Sequence, residues 1–384
     1  MRVYLLVFLV SAVVTYLLTV VAREIALRTG AVAQVRDRDV HDEPIPYLGG
    51  LAMLGGLGAS YLVARQLPFL SDVAGPFVFR DAGYVLVAGA MICAVGVLDD
   101  LFEIDALSKL GGQVLAAGFL IYSGIQFTLF TSSDGSQFAL DPAQGALLTA
   151  FVVVATMNAV NFVDGLDGLA AGVVGIGALA FFAFCYQLAN LNGVTLATTG
   201  ALLSAMLAGA CAGFLPHNFH PARLFMGDSG SMLIGLVLSA SAVTLSGQFS
   251  GSQLTQGADG SQASLLPTLL PVLLPISILL VPMADLLLAV VRRTRAGRSP
   301  FAPDKQHLHH RLLEIGHSQR RAVFIMWLWA GLVAFGTVLA SLYTGPVMWA
   351  ALVTGVVVTV ALTFLLPVVH KPSVHLPDEA SSQA

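Results

Sequence analysis

The sequence predicts an all-α fold: a polytopic membrane helix bundle of about eleven transmembrane helices, with its N-terminus external and its C-terminus cytoplasmic. Three observations predict it. The 384 residues are 57% hydrophobic and only 10% charged, where a soluble domain carries about 25% charged residues. Apolar runs near the roughly 20 residues that cross a bilayer recur along the chain. With eleven crossings, 15 of the 18 Lys and Arg residues and all nine histidines share one side with the C-terminal tail. The positive-inside rule makes that side cytoplasmic.

The expected spans cover about 3–22, 48–64, 83–98, 107–124, 146–162, 168–189, 196–214, 230–247, 265–291, 322–343 and 346–369. The first run follows Arg2 alone and is long enough to span, so it reads as a helix rather than a cleavable signal. The loop after it carries His41, Asp42 and Glu43 before Pro44-Ile45-Pro46, whose prolines favour an extended entry to the second span. The external segments 131–137 and 246–264 are rich in Gly and Ser and read as flexible connectors. Residues 1–369 form one integral membrane domain, and 370–384 a short polar tail expected to be disordered. Cys93, Cys185 and Cys211 lie inside apolar runs and read as small buried hydrophobes.

Polar and ionisable groups at membrane depth are costly, so they are functional candidates. Asp99 and Asp100 close the third span, at a helix C-terminus where the macrodipole disfavours acids. Such a pair suits a divalent cation or a base for phosphate chemistry. Residues 155–172, ATMNAVNFVDGLDGLAAG, set Asn158, Asn161, Asp164 and Asp167 around glycines at the junction of two spans. The helix starting near Gly168 offers free N–H groups to the same space, which favours a phosphate. A capping role would account for one of these acids, not for two with Asn161. Asp228, in FMGDSGS, opens the eighth span and reads either as an N-cap or as a ligand on the face of the other acids. Asn218 and Phe225 read equally as base contacts or as packing. Asp285 lies within the ninth span and reads as a helix-to-helix ion pair or a border of the site. The last loop carries His307, His309, His310 and Arg311 after a basic run, Arg292–Arg298. Zinc ligation lacks a partner cysteine there; phosphate or sugar contacts suit Arg with His better; an anionic-lipid site suits the basic run.

Together, the Asp-Asp pair, NFVDGLDGLA, FMGDSGS and HLHHRL resemble the polyprenyl-phosphate N-acetylhexosamine-1-phosphate transferase family, over about residues 36–323. The HLHHRL loop is similar to that of the bacterial undecaprenyl- or decaprenyl-phosphate N-acetylglucosaminyl-1-phosphate transferases. The resemblance implies an eleven-span bundle in a bacterial inner membrane, a cytoplasmic active site, Mg²⁺ dependence with Mn²⁺ as a substitute, and a homodimer. It implies a UDP-sugar and a polyprenyl phosphate as substrates, and no nucleic-acid partner. By resemblance, Asp99 and Asp100 activate the lipid phosphate and support the metal, and Asp228 is a metal ligand. Asn161, Asp164 and Asp167 line the nucleotide pocket, with Gly165 and Leu166 near the uracil, and Asn218 and Phe225 contact the uridine. His307, His309, His310 and Arg311 cover the sugar and diphosphate. The first loop departs from the family: Arg38-Asp39-Val40-His41 stands where relatives often carry an Arg-Lys pair.

The implied reaction passes GlcNAc-1-phosphate from UDP-GlcNAc to the lipid phosphate, or another N-acetylhexosamine phosphate or phospho-MurNAc-pentapeptide by the same chemistry. A proton-coupled transporter is the rival from another class. Transporter sites lie near the midplane, whereas these acids gather at cytoplasmic ends. A non-catalytic scaffold would leave Asp164, Asp167 and Asp228 unexplained.

Overall fold

The computed structural model describes residues 1–32, 44–73, 76–131, 137–192, 197–245, 294–295, 317–343 and 345–365. The expected ninth span with Asp285, the His41–Glu43 stretch, His307 to Arg311, the 246–264 connector and the tail lie outside the described residues.

The described chain is almost wholly helical. Its helices are α1 (Arg2–Thr29), α2 (Gly49–Ala64), α3 (Pro76–Phe102), α4 (Ala106–Tyr122), α5 (Pro142–Val163), α6 (Leu169–Asn192), α7 (Ala197–Asn218), α8 (Gly227–Leu245), α9 (Gln319–Leu342) and α10 (Pro346–Leu365). Among the described residues, eight of these are long and apolar enough to cross a membrane, and α2 and α4 are shorter apolar helices.

Several boundaries differ from the sequence expectation, each for a local reason. Helix α1 runs well past residue 22 and stops at Gly30, whose φ of 75° sets the left-handed cap and sends its N–H to Ala26 O. Helix α3 runs to Phe102, past the expected end at 98, so Asp99 and Asp100 lie in its last turn, at the helix C-terminus expected from the sequence. Helix α8 starts at Gly227, which puts Asp228 inside its first turn rather than at its N-cap. The 131–137 connector is flanked by two short strands, β1 (Leu129–Thr131) and β2 (Gln137–Ala139), paired antiparallel. Polar caps start the helices that follow: Asp105 accepts from Leu107 N and Ser108 N on α4, and Asp141 forms a capping box with Gln144 on α5.

Burial orders the bundle. Helices α7 and α8 are enclosed almost all round, while α1 and α10 leave most of their apolar surface outward. An outward apolar face on a peripheral helix suits lipid, since hydrocarbon is as apolar as Leu. Small residues set the close contacts: a Cβ at Gly213 on α7 would strike the Ala12 backbone of α1. At one end of the bundle the C-terminal ends of α1, α3, α5 and α7 meet the N-terminal ends of α2, α4, α6 and α8. The start of α9 joins them, since Arg320 Nε donates to His220 O at 2.9 Å. The end of α10 lies there too, where His317 Nε2 and Thr363 O are 3.1 Å apart.

Candidate active site

The polar end of the bundle is stitched together by backbone. Phe225 N donates to Pro46 O at 2.9 Å, Gly49 N to Phe225 O at 3.1 Å, and Gly50 N to Met226 O at 3.1 Å. These bonds fix the start of α8 against that of α2. Gly96 then lets α3 press on the same point, because a Cβ there would collide with the Ser229 backbone. At Gly227 the φ is 69° and a Cβ would meet the Asp100 carboxylate. Both constraints call for glycine.

This packing brings Asp99, Asp100 and Asp228 together, with one carboxylate oxygen from each within 4.8 Å of the others. Asp100 accepts from Asp228 N at 2.8 Å and Ser229 N at 3.3 Å. A carboxylate of α3 therefore caps α8 and complements its positive dipole end. Lys109 Nζ sits between the other two acids, 2.6 Å from Asp99 Oδ2 and 2.8 Å from Asp228 Oδ2. Asn161 Nδ2 donates to Asp228 Oδ1 at 2.8 Å and to Ser231 Oγ at 2.9 Å. Asp99 Oδ1 is buried with no hydrogen-bond partner among the described residues. Such an orphan acceptor is costly and fits a cation or a proton.

Asp164 closes α5 as its C-cap. Burial first, and then the charges of Asp228, Asp100 and Asp167, push its carboxyl up to about 8. Asp167 turns elsewhere: its Oδ2 lies 2.9 Å from His220 Nδ1 and accepts from Ala222 N at 3.1 Å. It thus braces the α7–α8 connection. Asn218, 2% exposed, accepts from Gly168 N at 3.0 Å and donates to Leu224 O at 3.1 Å. Both ends of its amide hold backbone. Leu166 is buried in the core, and Gly165 is exposed in the turn beside it. Phe225 is half-buried with its ring centroid 6.0 Å from that of Tyr47.

Thus Asp99, Asp100, Asn161 and Asp228 converge, with Asp164 close enough to feel two of their charges, while Asp167, Asn218 and Leu166 shape the surrounding chain. Sequence reasoning missed Lys109 as a site residue. The signal was present: it is the single Lys or Arg between Arg80 and Arg223. A cavity of about 770 Å³ lies away from these acids, at the ends of α1 and α7, lined by Arg23, Arg28, His217 and Arg223 among others.

A family model described as glycosyl transferase family 4 matches residues 82–246, which hold all five aspartates of this region and Lys109. The chain is 47% identical over 370 residues to the decaprenyl-phosphate N-acetylglucosaminephosphotransferase of Mycobacterium tuberculosis H37Rv, covering 95% of this chain and 89% of that protein. The chain belongs to glycosyl transferase family 4. Within the family it is also 31% identical to the probable undecaprenyl-phosphate N-acetylglucosaminyl 1-phosphate transferase of Bacillus subtilis 168, over 84% of this chain and 80% of the relative. A third relative, the undecaprenyl-phosphate alpha-N-acetylglucosaminyl 1-phosphate transferase of Yersinia pestis, is 29% identical over 86% and 83%. The matches to these relatives extend well beyond residues 82–246.

Proposed function

We propose that this family member transfers N-acetylglucosamine-1-phosphate from UDP-GlcNAc to a polyprenyl phosphate, giving polyprenyl-diphosphate-GlcNAc and UMP. The observation that carries the reading is the meeting of Asp99, Asp100 and Asp228 around Lys109 at one end of a lipid-facing bundle. A site at the membrane surface can receive both a water-soluble nucleotide and a lipid phosphate. The names of the relatives supply the sugar and the lipid class.

The reaction is phosphoryl transfer, so catalysis is positioning plus neutralisation of charge. A lipid phosphate oxygen attacks the β-phosphorus of the UDP-sugar, and UMP leaves. Lys109 brings a positive charge, fixed by two carboxylates, to where two anions must approach. The orphan oxygen of Asp99 can take the proton of the attacking phosphate. Asn161 holds Asp228 in orientation, and Asp100 holds the helix that carries it. The donor set is all carboxylate oxygen, which fits a hard cation such as Mg²⁺, or Mn²⁺. Asp228, Asp99 and Asp100 would hold it, and it would supply charge neutralisation for the diphosphate. His307, His309, His310 and Arg311 are the groups we assign to the sugar and diphosphate. Their loop re-enters the described chain at His317, and Arg320 just beyond is bonded to His220.

The same proposal holds eleven spans with the site facing the cytoplasm of a bacterium. Helix α8 leaves the polar end and α9 begins there, and the sequence offers the apolar run 265–291 for the remaining span. The positive-inside rule supplies the sidedness. The homodimer rests on the family resemblance, and light scattering of the purified protein in detergent checks it. Release of UMP from UDP-GlcNAc, dependent on a polyprenyl phosphate and stopped by EDTA, is the expected result. Turnover with a different UDP-sugar alone would keep the family and change the sugar.

A further inference from the structure

One polar contact between helices lies outside the set of groups that face the carboxylates. Gln113 on α4 is 2% exposed. Its Nε2 donates to Asn158 Oδ1 on α5 at 3.3 Å, and Asn158 Nδ2 returns a bond to Gln113 Oε1 at 2.6 Å. The spare hydrogens are also used: Gln113 Nε2 reaches Met232 Sδ on α8 at 3.4 Å, and Asn158 Nδ2 reaches Val154 O at 2.8 Å. A primary amide has two donors, so neither side chain keeps a hydrogen for a substrate. Three helices are thereby tied in one layer.

The next layer toward the polar end repeats the same three helices one turn on. Gln113 is four residues from Lys109, Asn158 is three from Asn161, and Met232 follows Ser231. The three- and four-residue spacings put Gln113 with Lys109 and Asn158 with Asn161 on shared helix faces. Lys109 and Asn161 hold the Asp228 carboxylate, and Ser231 Oγ accepts a second bond from Asn161. The Gln113 amide is buried, so α4 cannot slide on α5 without leaving its polar atoms unmet, although Asn158 itself stands on the exposed side of α5. We propose that the Gln113–Asn158 pair is a positioning device that sets the register of α4 against α5, and so fixes Lys109 and Asn161 on the two oxygens of Asp228. The inference rests on the reading of the Asp228 cluster as the active centre. The pair acts on the chemical step rather than on substrate affinity, because its amide hydrogens are used between and along the helices.

The test is a double-mutant cycle in the purified full chain, assayed with UDP-GlcNAc, polyprenyl phosphate and Mg²⁺. Gln113→Asn and Asn158→Gln each break the match in side-chain length, and the double exchange restores it. Each single variant is expected to lose about tenfold or more in kcat, as misplaced groups do, with KM for the nucleotide sugar within about threefold. The exchanged pair is expected to recover most of the loss, a coupling that independent sites do not show. Melting temperatures check that each variant is folded; where a single variant is not, the exchanged pair is compared with wild type directly. Wild-type kcat in folded single variants, a loss confined to KM, or an exchanged pair as poor as the singles overturns the proposal. Asp228→Asn tests the parent reading separately. Normal turnover there overturns the site, whereas an inactive Asp228→Asn beside unimpaired Gln113 and Asn158 variants overturns the positioning role alone.

Discussion

Asp100 accepts a hydrogen bond from the backbone N–H of Asp228 at 2.8 Å, so one candidate metal carboxylate caps the helix that presents another. Structure and chemistry are coupled at this contact. Asp100→Ala removes the cap and is expected to cost about 1–2 kcal/mol of stability. Asp100→Asn keeps one acceptor and is expected to cost less, while turnover falls sharply in both. Thermal unfolding in detergent, run beside the activity assay, separates the two effects. Equal melting temperatures for the Ala variant and wild type would remove the capping role.

Lys109 neutralises Asp99 and Asp228 from 2.6 and 2.8 Å. Lys109→Gln is expected to lower kcat by about 10²-fold or more, the scale seen when one fixed electrostatic group is lost. It also leaves two carboxylates unopposed, so the rise in melting temperature on adding Mg²⁺ should be larger than in wild type. A smaller rise would mean that Lys109 is not in competition with a cation for these oxygens.

Asp164 gives a pH signature. Burial, with Asp228, Asp100 and Asp167 nearby, holds its folded-state pKa near about 8, above an ordinary carboxylate. Between the unfolded and folded values the folded protein keeps a proton that the unfolded chain has lost, so this group's contribution to stability falls as pH rises. Asp164→Asn has no such proton. In EDTA, the variant should melt close to wild type near pH 4, increasingly above it up to about pH 8, and by a constant margin beyond. A margin that shrinks with rising pH would contradict the assigned direction.

Gly227 combines a φ of 69° with a Cβ direction aimed at the Asp100 carboxylate. Gly227→Ala should destabilise by about 1–3 kcal/mol and weaken the Mg²⁺-induced thermal shift, because the Asp100–Asp228 bond must open. An unchanged shift would show that the contact yields without disturbing the acids.

The bundle was legible because membrane spans announce themselves by length and apolarity, and the described helices occupy ten of the eleven expected runs. Their ends were less legible. Hydropathy falls at Ala22, yet α1 continues until Gly30, where backbone geometry and not polarity stops it. Asp99, Asp100, Asn161 and Asp228 were legible as costly polar groups at one membrane face, and they meet. Asp167 and Asn218 carry the same signal and turn to His220, Ala222, Gly168 and Leu224, because a polar residue can serve backbone as well as substrate. Lys109 and Gln113 lie inside one apolar helix, and only the packing of α4 on α5 and α8 gives them partners.

The most direct test of the central claim is product identity for wild type against Asp228→Asn, with UDP-GlcNAc, a polyprenyl phosphate and Mg²⁺ in defined lipid. Mass spectrometry should find polyprenyl-diphosphate-GlcNAc and UMP in equal amounts from wild type, and neither from the folded variant or in EDTA. Equal product from Asp228→Asn, or no lipid-linked sugar from folded wild type with any UDP-sugar, would contradict the site and the function drawn from it.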